Sequence, residues 1–87
     1  MDNKELLNIL EEVATLFVNN EEKKGYTLLM KAIPMLEKLS CSIVEKENEN
    51  PLLAGLQTLV EAMENQDIWM MADVIQCELI PIIQNYN

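Results

Sequence analysis

Histidine and arginine are absent from this chain of 87 residues, and cysteine, glycine and aromatic residues are scarce. Each absence removes chemistry. Without histidine there is no access to the commonest general base, to Ser-His or Cys-His nucleophile pairs, or to histidine-bearing metal sites. Two cysteines, Cys41 and Cys77, are too few for a structural zinc site, and the Glu-x-x-His motif of bundle-core di-iron centres cannot be formed. The alternating Glu45, Glu47 and Glu49 lack the glycine and the closing acid of a calcium loop, and read instead as a solvated acidic linker. With two glycines in all, there is neither a phosphate-cradling loop nor a Gly-x-Ser-x-Gly elbow. The expectation is a protein that is not an enzyme, with no catalytic residue, no metal and no cofactor.

Positive charge is also in short supply. The net charge is −9, all six lysines lie in residues 1–46, and residues 51–87 hold five acids and no base. Such a surface repels a phosphate backbone and an anionic membrane alike, which excludes nucleic acid as a partner. A basic partner or plain solubility remains. No basic start leads into an apolar run with a cleavage site, and nowhere do about 18 apolar residues stand together. No membrane insertion is expected, and the cytoplasm is the expected compartment. There the two cysteines are expected to be small buried or half-buried hydrophobes rather than a disulfide.

What is present favours helices. Apolar residues make up 49 % of the chain and are mostly Leu, Ile, Met and Val, which predicts a single all-α domain with a thin core. Asp2 and Glu5 have capping-box spacing, and Leu6, Leu10, Val13, Ala14 and Phe17 recur at helical intervals, predicting a first helix over about 3–18. After Asn19 and Asn20, the residues Tyr26, Leu29, Ile33, Leu36, Ser40 and Ile43 predict a second helix reaching about Lys46. Pro34 lies inside it, where its ring meets the carbonyl of Met30, so a kink is expected. The polar run 45–50, EKENEN, is the expected linker, with Asn50 and Pro51 opening a third helix over about 51–64. A fourth runs from Ile68 to about Asn85 and contains Pro81.

A shift of 46 residues places Leu6 and Leu7 on Leu52 and Leu53, Val13 on Leu59, Phe17 on Met63, Asn19 on Asn65, Leu29 on Ile75, Ile33 on Leu79 and Leu36 on Ile82. The prolines fall one residue out of step. The expected architecture is a four-helix bundle of two helical hairpins, 3–46 and 51–86, the second helix of each kinked by proline.

The stretch Ala72 to Pro81, ADVIQCELIP, carries two carboxylates and a thiol within the most apolar part of the chain. On a helical wheel Ile68, Met71, Ala72, Ile75, Leu79, Ile82, Ile83 and Tyr86 form the core stripe, and Asp73 and Glu78 stand too far apart around the helix to form a catalytic pair. Opposite the core lie Trp69, Met70, Asp73, Cys77, Ile80 and Gln84, an apolar outer face around one acid. Three readings are open: burial on both sides, contact with a second copy, or contact with another protein.

From Leu59 to Tyr86 the pattern Glu-Asn-Gln-Asp, then Ala-Asp, then Glu-Leu-Ile-Pro resembles a family of small acidic all-helical proteins of unknown function from Gram-positive bacteria, some of them associated with motility genes. Asp67, Ala72, Asp73, Glu78 and Pro81 carry the likeness; Gln76 replaces a further acid and Cys77 a frequent aromatic. The resemblance implies a helical fold and brings no activity with it. The residues point to a non-enzymatic protein-interaction or assembly module, chaperone-like or self-associating through the last helix. The alternative is a small-molecule-binding or enzymatic domain with a pocket between the hairpins, for which Ser40, Thr58 and Tyr26 are the polar candidates. Circular dichroism should show helix over well above half of the residues and no β signature; a β-dominated or disordered spectrum at neutral pH would exclude the bundle.

Overall fold

The computed structural model describes residues 3–42 and 51–85. Expectations for Asp2, for the end of the second helix at Lys46, for the 45–50 linker and for Tyr86 lie outside the described residues. Helix α1, Lys4–Val18, buries Leu6, Leu10, Val13, Ala14 and Phe17, the expected stripe. Helix α2, Glu22–Ser42, buries Gly25, Leu29, Ala32, Leu36, Leu39 and Ser40. Tyr26 and Ile33, expected in the core, are half-buried, and the neighbouring Gly25 and Ala32 face inward instead; Cys41 and Cys77, expected to be buried or half-buried, are both exposed. Helix α3, Pro51–Glu64, begins at Pro51, whose missing amide donor is one that a first turn leaves unpaired anyway. The fourth helix consists of α4, Ile68–Val74, a wider π-helical turn, Ile75–Leu79, and α5, Ile80–Asn85. No strand occurs among the described residues, and none of the described helices is long and apolar enough to cross a membrane.

Two turns have the same construction. Asn20 adopts a left-handed φ of 64° and donates to the Phe17 carbonyl at 3.1 Å, while the Glu21 amide reaches the Leu16 carbonyl at 2.8 Å. Gln66, at φ 54°, donates to the Met63 carbonyl at 3.1 Å, and the Asp67 amide reaches the Ala62 carbonyl at 3.0 Å. These crossed bonds satisfy the last carbonyls of α1 and α3 and turn the chain back on itself. Each closing acid then opens the next helix: the Glu21 carbonyl accepts from Gly25, the Asp67 carbonyl from Met71, and the Asp67 side chain caps Met70 at 3.1 Å. The three backbone bonds of the first turn recur in the second after a shift of 46 residues; the side-chain cap belongs to Asp67.

The four helices pack together, α1 lying most extensively against α2 and also against α4, and α3 against α4. The Cα radius of gyration is 12.3 Å, the compactness expected of a packed domain of this length. Closest approach occurs at glycines. A Cβ on residue 25 would lie 2.6 Å from Phe17 Cε1, and one on residue 55 would lie 2.8 Å from Leu79 Cδ2.

The wide turn lies just before Pro81. Its ring supplies no amide and would strike the carbonyl of Cys77 in a regular α-helix. The Ile80 amide instead donates to Ile75, five residues back, which inserts one residue into the turn. Gly25 and Leu29 match Met71 and Ile75 at a shift of 46, whereas Ala32, Pro34 and Leu36 match Leu79, Pro81 and Ile83 at 47. The one-residue mismatch of the prolines is thus the inserted residue, and it corrects the pairing of Ile33 with Leu79 and of Leu36 with Ile82. Helix α2, by contrast, continues unbroken through Pro34.

Gly25→Ala gains about 1 kcal/mol of helix propensity but meets a buried aromatic ring with nowhere to move, so urea unfolding should show a net loss of about 1–3 kcal/mol. Gly55→Ala meets only a leucine methyl that can rotate away, and should stay within about 1 kcal/mol of the parent.

Candidate functional site

The fourth helix buries Met71, Ala72, Val74, Ile75, Leu79 and Ile83. On its other side Trp69 is 59 % exposed and Met70 38 %, and Asp73, Cys77 and Gln84 are exposed as well. Ile80, expected on this outer face, is half-buried against the core, as is Ile82, and Pro81 between them faces out. The π turn is the reason: one extra residue rotates everything after it by about 100° relative to a regular α-helix. The outer face therefore runs from Trp69 and Met70 through Asp73 and Cys77, then passes Pro81 and Gln84.

Asp73 and Cys77 are one turn apart, and the thiol donates to Asp73 Oδ1 at 3.3 Å. That bond, then the Asp73 charge, slight desolvation and the nearby Glu78 raise the Cys77 pKa above its ordinary value, so the thiol holds its proton. The face offers no activated nucleophile. It offers an indole, a thioether and a protonated thiol beside a carboxylate.

A second surface lies between α1 and α2. An open groove of about 380 Å³ has Leu16 and Leu28 at its floor and Lys23, Lys24 and Lys31 on its rim, with Glu12 on the α1 side. The Thr27 hydroxyl in its wall donates to the Lys23 carbonyl at 2.9 Å and is engaged by its own helix. Lys24 pairs with Glu21 at 3.2 Å, whereas Lys23 and Lys31 have no ion pair among the described residues. Sequence reasoning passed over this cluster; its signal was the i, i+4, i+8 spacing of Lys23, Thr27 and Lys31. The groove residues of α2 align in sequence with residues of the fourth helix. Lys23, Lys24 and Thr27 correspond to Trp69, Met70 and Asp73 at a shift of 46, and Lys31 corresponds to Glu78 at 47.

The polar candidates for an internal pocket are engaged locally. Tyr26 sits edge-on to Phe17, ring centroids 5.4 Å apart, and burial followed by the Glu22 charge raises its phenol pKa. The Thr58 hydroxyl donates to the Ala54 carbonyl of its own helix, and Ser40 is buried in the last turn of α2. Among the described residues no three Cys, Asp or Glu side chains converge as metal ligands, and no buried side-chain nitrogen or oxygen lacks a hydrogen-bond partner.

No family model matches the chain, nor does any curated protein or solved structure. Its own surface must therefore carry the functional reading.

Asp73→Asn removes the charge that keeps the Cys77 thiol protonated, so alkylation of Cys77 should become several-fold faster and its rate profile should move to lower pH. Cys41 in the same molecule is the internal control, and an unchanged Cys77 rate would show that the bond to Asp73 does not form in solution.

Proposed function

We propose that the chain is a non-enzymatic protein-interaction or assembly module that docks a protein partner, a different chain or a second copy of itself, through the outer face of its fourth helix. In this reading it is a bundle of two related hairpins, with bends at Pro34 and Pro81 shaping the second helix of each. The observation that carries the proposal is Trp69. A helix with a fully buried inner stripe has no need of an indole on its outside, yet Trp69 is 59 % exposed, with Met70 beside it. Tryptophan and methionine are common interface anchors, and the flexible thioether adapts to a partner's shape. The twice-repeated turn supports the hairpin reading, because it gives both helix pairs the same return geometry.

Trp69 and Met70 are exposed, so Trp69→Ala/Met70→Ala should unfold in urea within about 1 kcal/mol of the parent. Affinity capture from the native cell should retain a protein on the parent chain that this variant loses. Retention of the same proteins by both would reject the fourth-helix face as the docking surface, and a loss of several kcal/mol in stability would place Trp69 in the core.

A further inference from the structure

The fourth-helix face and the α2 residues of the lysine-rimmed groove align in sequence, and their charges are opposite. Lys23 stands where Trp69 stands, Lys24 where Met70 stands, and Lys31 where Glu78 stands. The imbalance extends beyond these positions. Residues 3–42 hold five lysines and six acids, a net −1, whereas residues 51–85 hold five acids and no base, a net −5. One surface projects an aromatic and a thioether beside carboxylates; the other is an apolar recess rimmed by ammonium groups.

We propose that the two surfaces are halves of one interface: the α1–α2 groove of one copy receives the Trp69 face of a second copy, head to tail. This rests on the fourth-helix face being a docking surface and names its occupant. The indole would lie over Leu16 and Leu28, with Lys23 and Lys31 positioned for cation–π contact and for Asp73. Glu12 is the one unfavourable charge at the groove and faces it from α1. A two-fold symmetric dimer through the fourth helix is disfavoured by the same charges. It would bring two faces that each carry Asp73 together with no base in residues 51–87 to intervene. The net −9 of each copy opposes association at long range, but at physiological salt charges beyond about 8 Å are screened and the local match decides. A head-to-tail interface leaves a free groove at one end and a free face at the other, so it propagates into a ring or a filament.

Two variants test this by mixing. Trp69→Ala blocks only the face and Lys23→Glu/Lys31→Glu only the groove; all three positions are exposed, and circular dichroism verifies that both variants stay folded. The parent chain should associate beyond the dimer with rising concentration in sedimentation or light scattering, and each variant alone should associate at least about tenfold more weakly, the scale of losing an interface anchor. Mixed in equal amounts, the variants should form a species of two chains that does not grow, because one good groove meets one good face. A parent chain that stays monomeric at high concentration, or a mixture that forms no dimer, would overturn the head-to-tail interface. So would a closed dimer of the parent chain cross-linked through Cys77, which would leave the fourth-helix docking reading standing. A monomeric parent whose captured proteins are also unaffected by Trp69→Ala/Met70→Ala would reject both.

Discussion

The ring of Phe17 occupies the space that a methyl group on residue 25 would need, and the rest of the packing follows from that contact. Phe17 is fully buried and braced edge-on by Tyr26, so it holds the start of α2 close against the end of α1. Helix α1 in turn packs on α4, the π turn and α5, and carries the placement of the first helix pair to the second. Truncating a buried phenylalanine costs about 3–5 kcal/mol, a large part of the roughly 5–15 kcal/mol that stabilises a small domain. The left-handed residue Asn20 just beyond it completes the arrangement by turning the chain back over the same ring.

The second half is built alike but resolves its proline differently. In α2 the α-helix continues past Pro34; in the fourth helix the turn before Pro81 opens to five-residue spacing. The added residue keeps Leu79 and Ile83 in the core although their distance from the turn differs by one from that of Ala32 and Leu36. A regular helix in the fourth position would have put Ile80 outside and Ile82 inside. The π turn shares burial between them and brings Pro81 to the surface, which fixes where the apolar outer face ends.

Electrostatics gives the two halves different outer surfaces on similar frameworks. The first is nearly balanced in charge, with lysine stems covering apolar floor; the second is purely acidic and displays its apolar groups. The protonated Cys77 beside Asp73 fits a contact surface better than a reactive one.

Much of this was legible in one dimension. Helix α3 over Pro51–Glu64, the extent of α1 and its buried stripe, and the core placement of Met71, Ala72, Ile75, Leu79 and Ile83 follow from the recurrence of large apolar residues every three to four positions, because a helix must bury one stripe. Small residues were not legible as core: Gly25, Ala32, Gly55 and Ala62 carry no hydrophobic signal, and only the meeting of two helices shows that the space around them is full. Val74 is buried beyond the narrow stripe for the same reason, since α1 and α3 both pack on α4. The exposure of Trp69 and the groove between Lys23 and Lys31 were equally hidden, for a wheel gives angles around one axis and says nothing of what lies opposite. The sequence by itself determined the helices, their order, the turn residues and the uneven charge, all set by contacts within a few residues. The tertiary structure alone decided which faces are covered, how the chain accommodates Pro81 and where a groove opens between α1 and α2, because burial and register depend on neighbours distant in the chain.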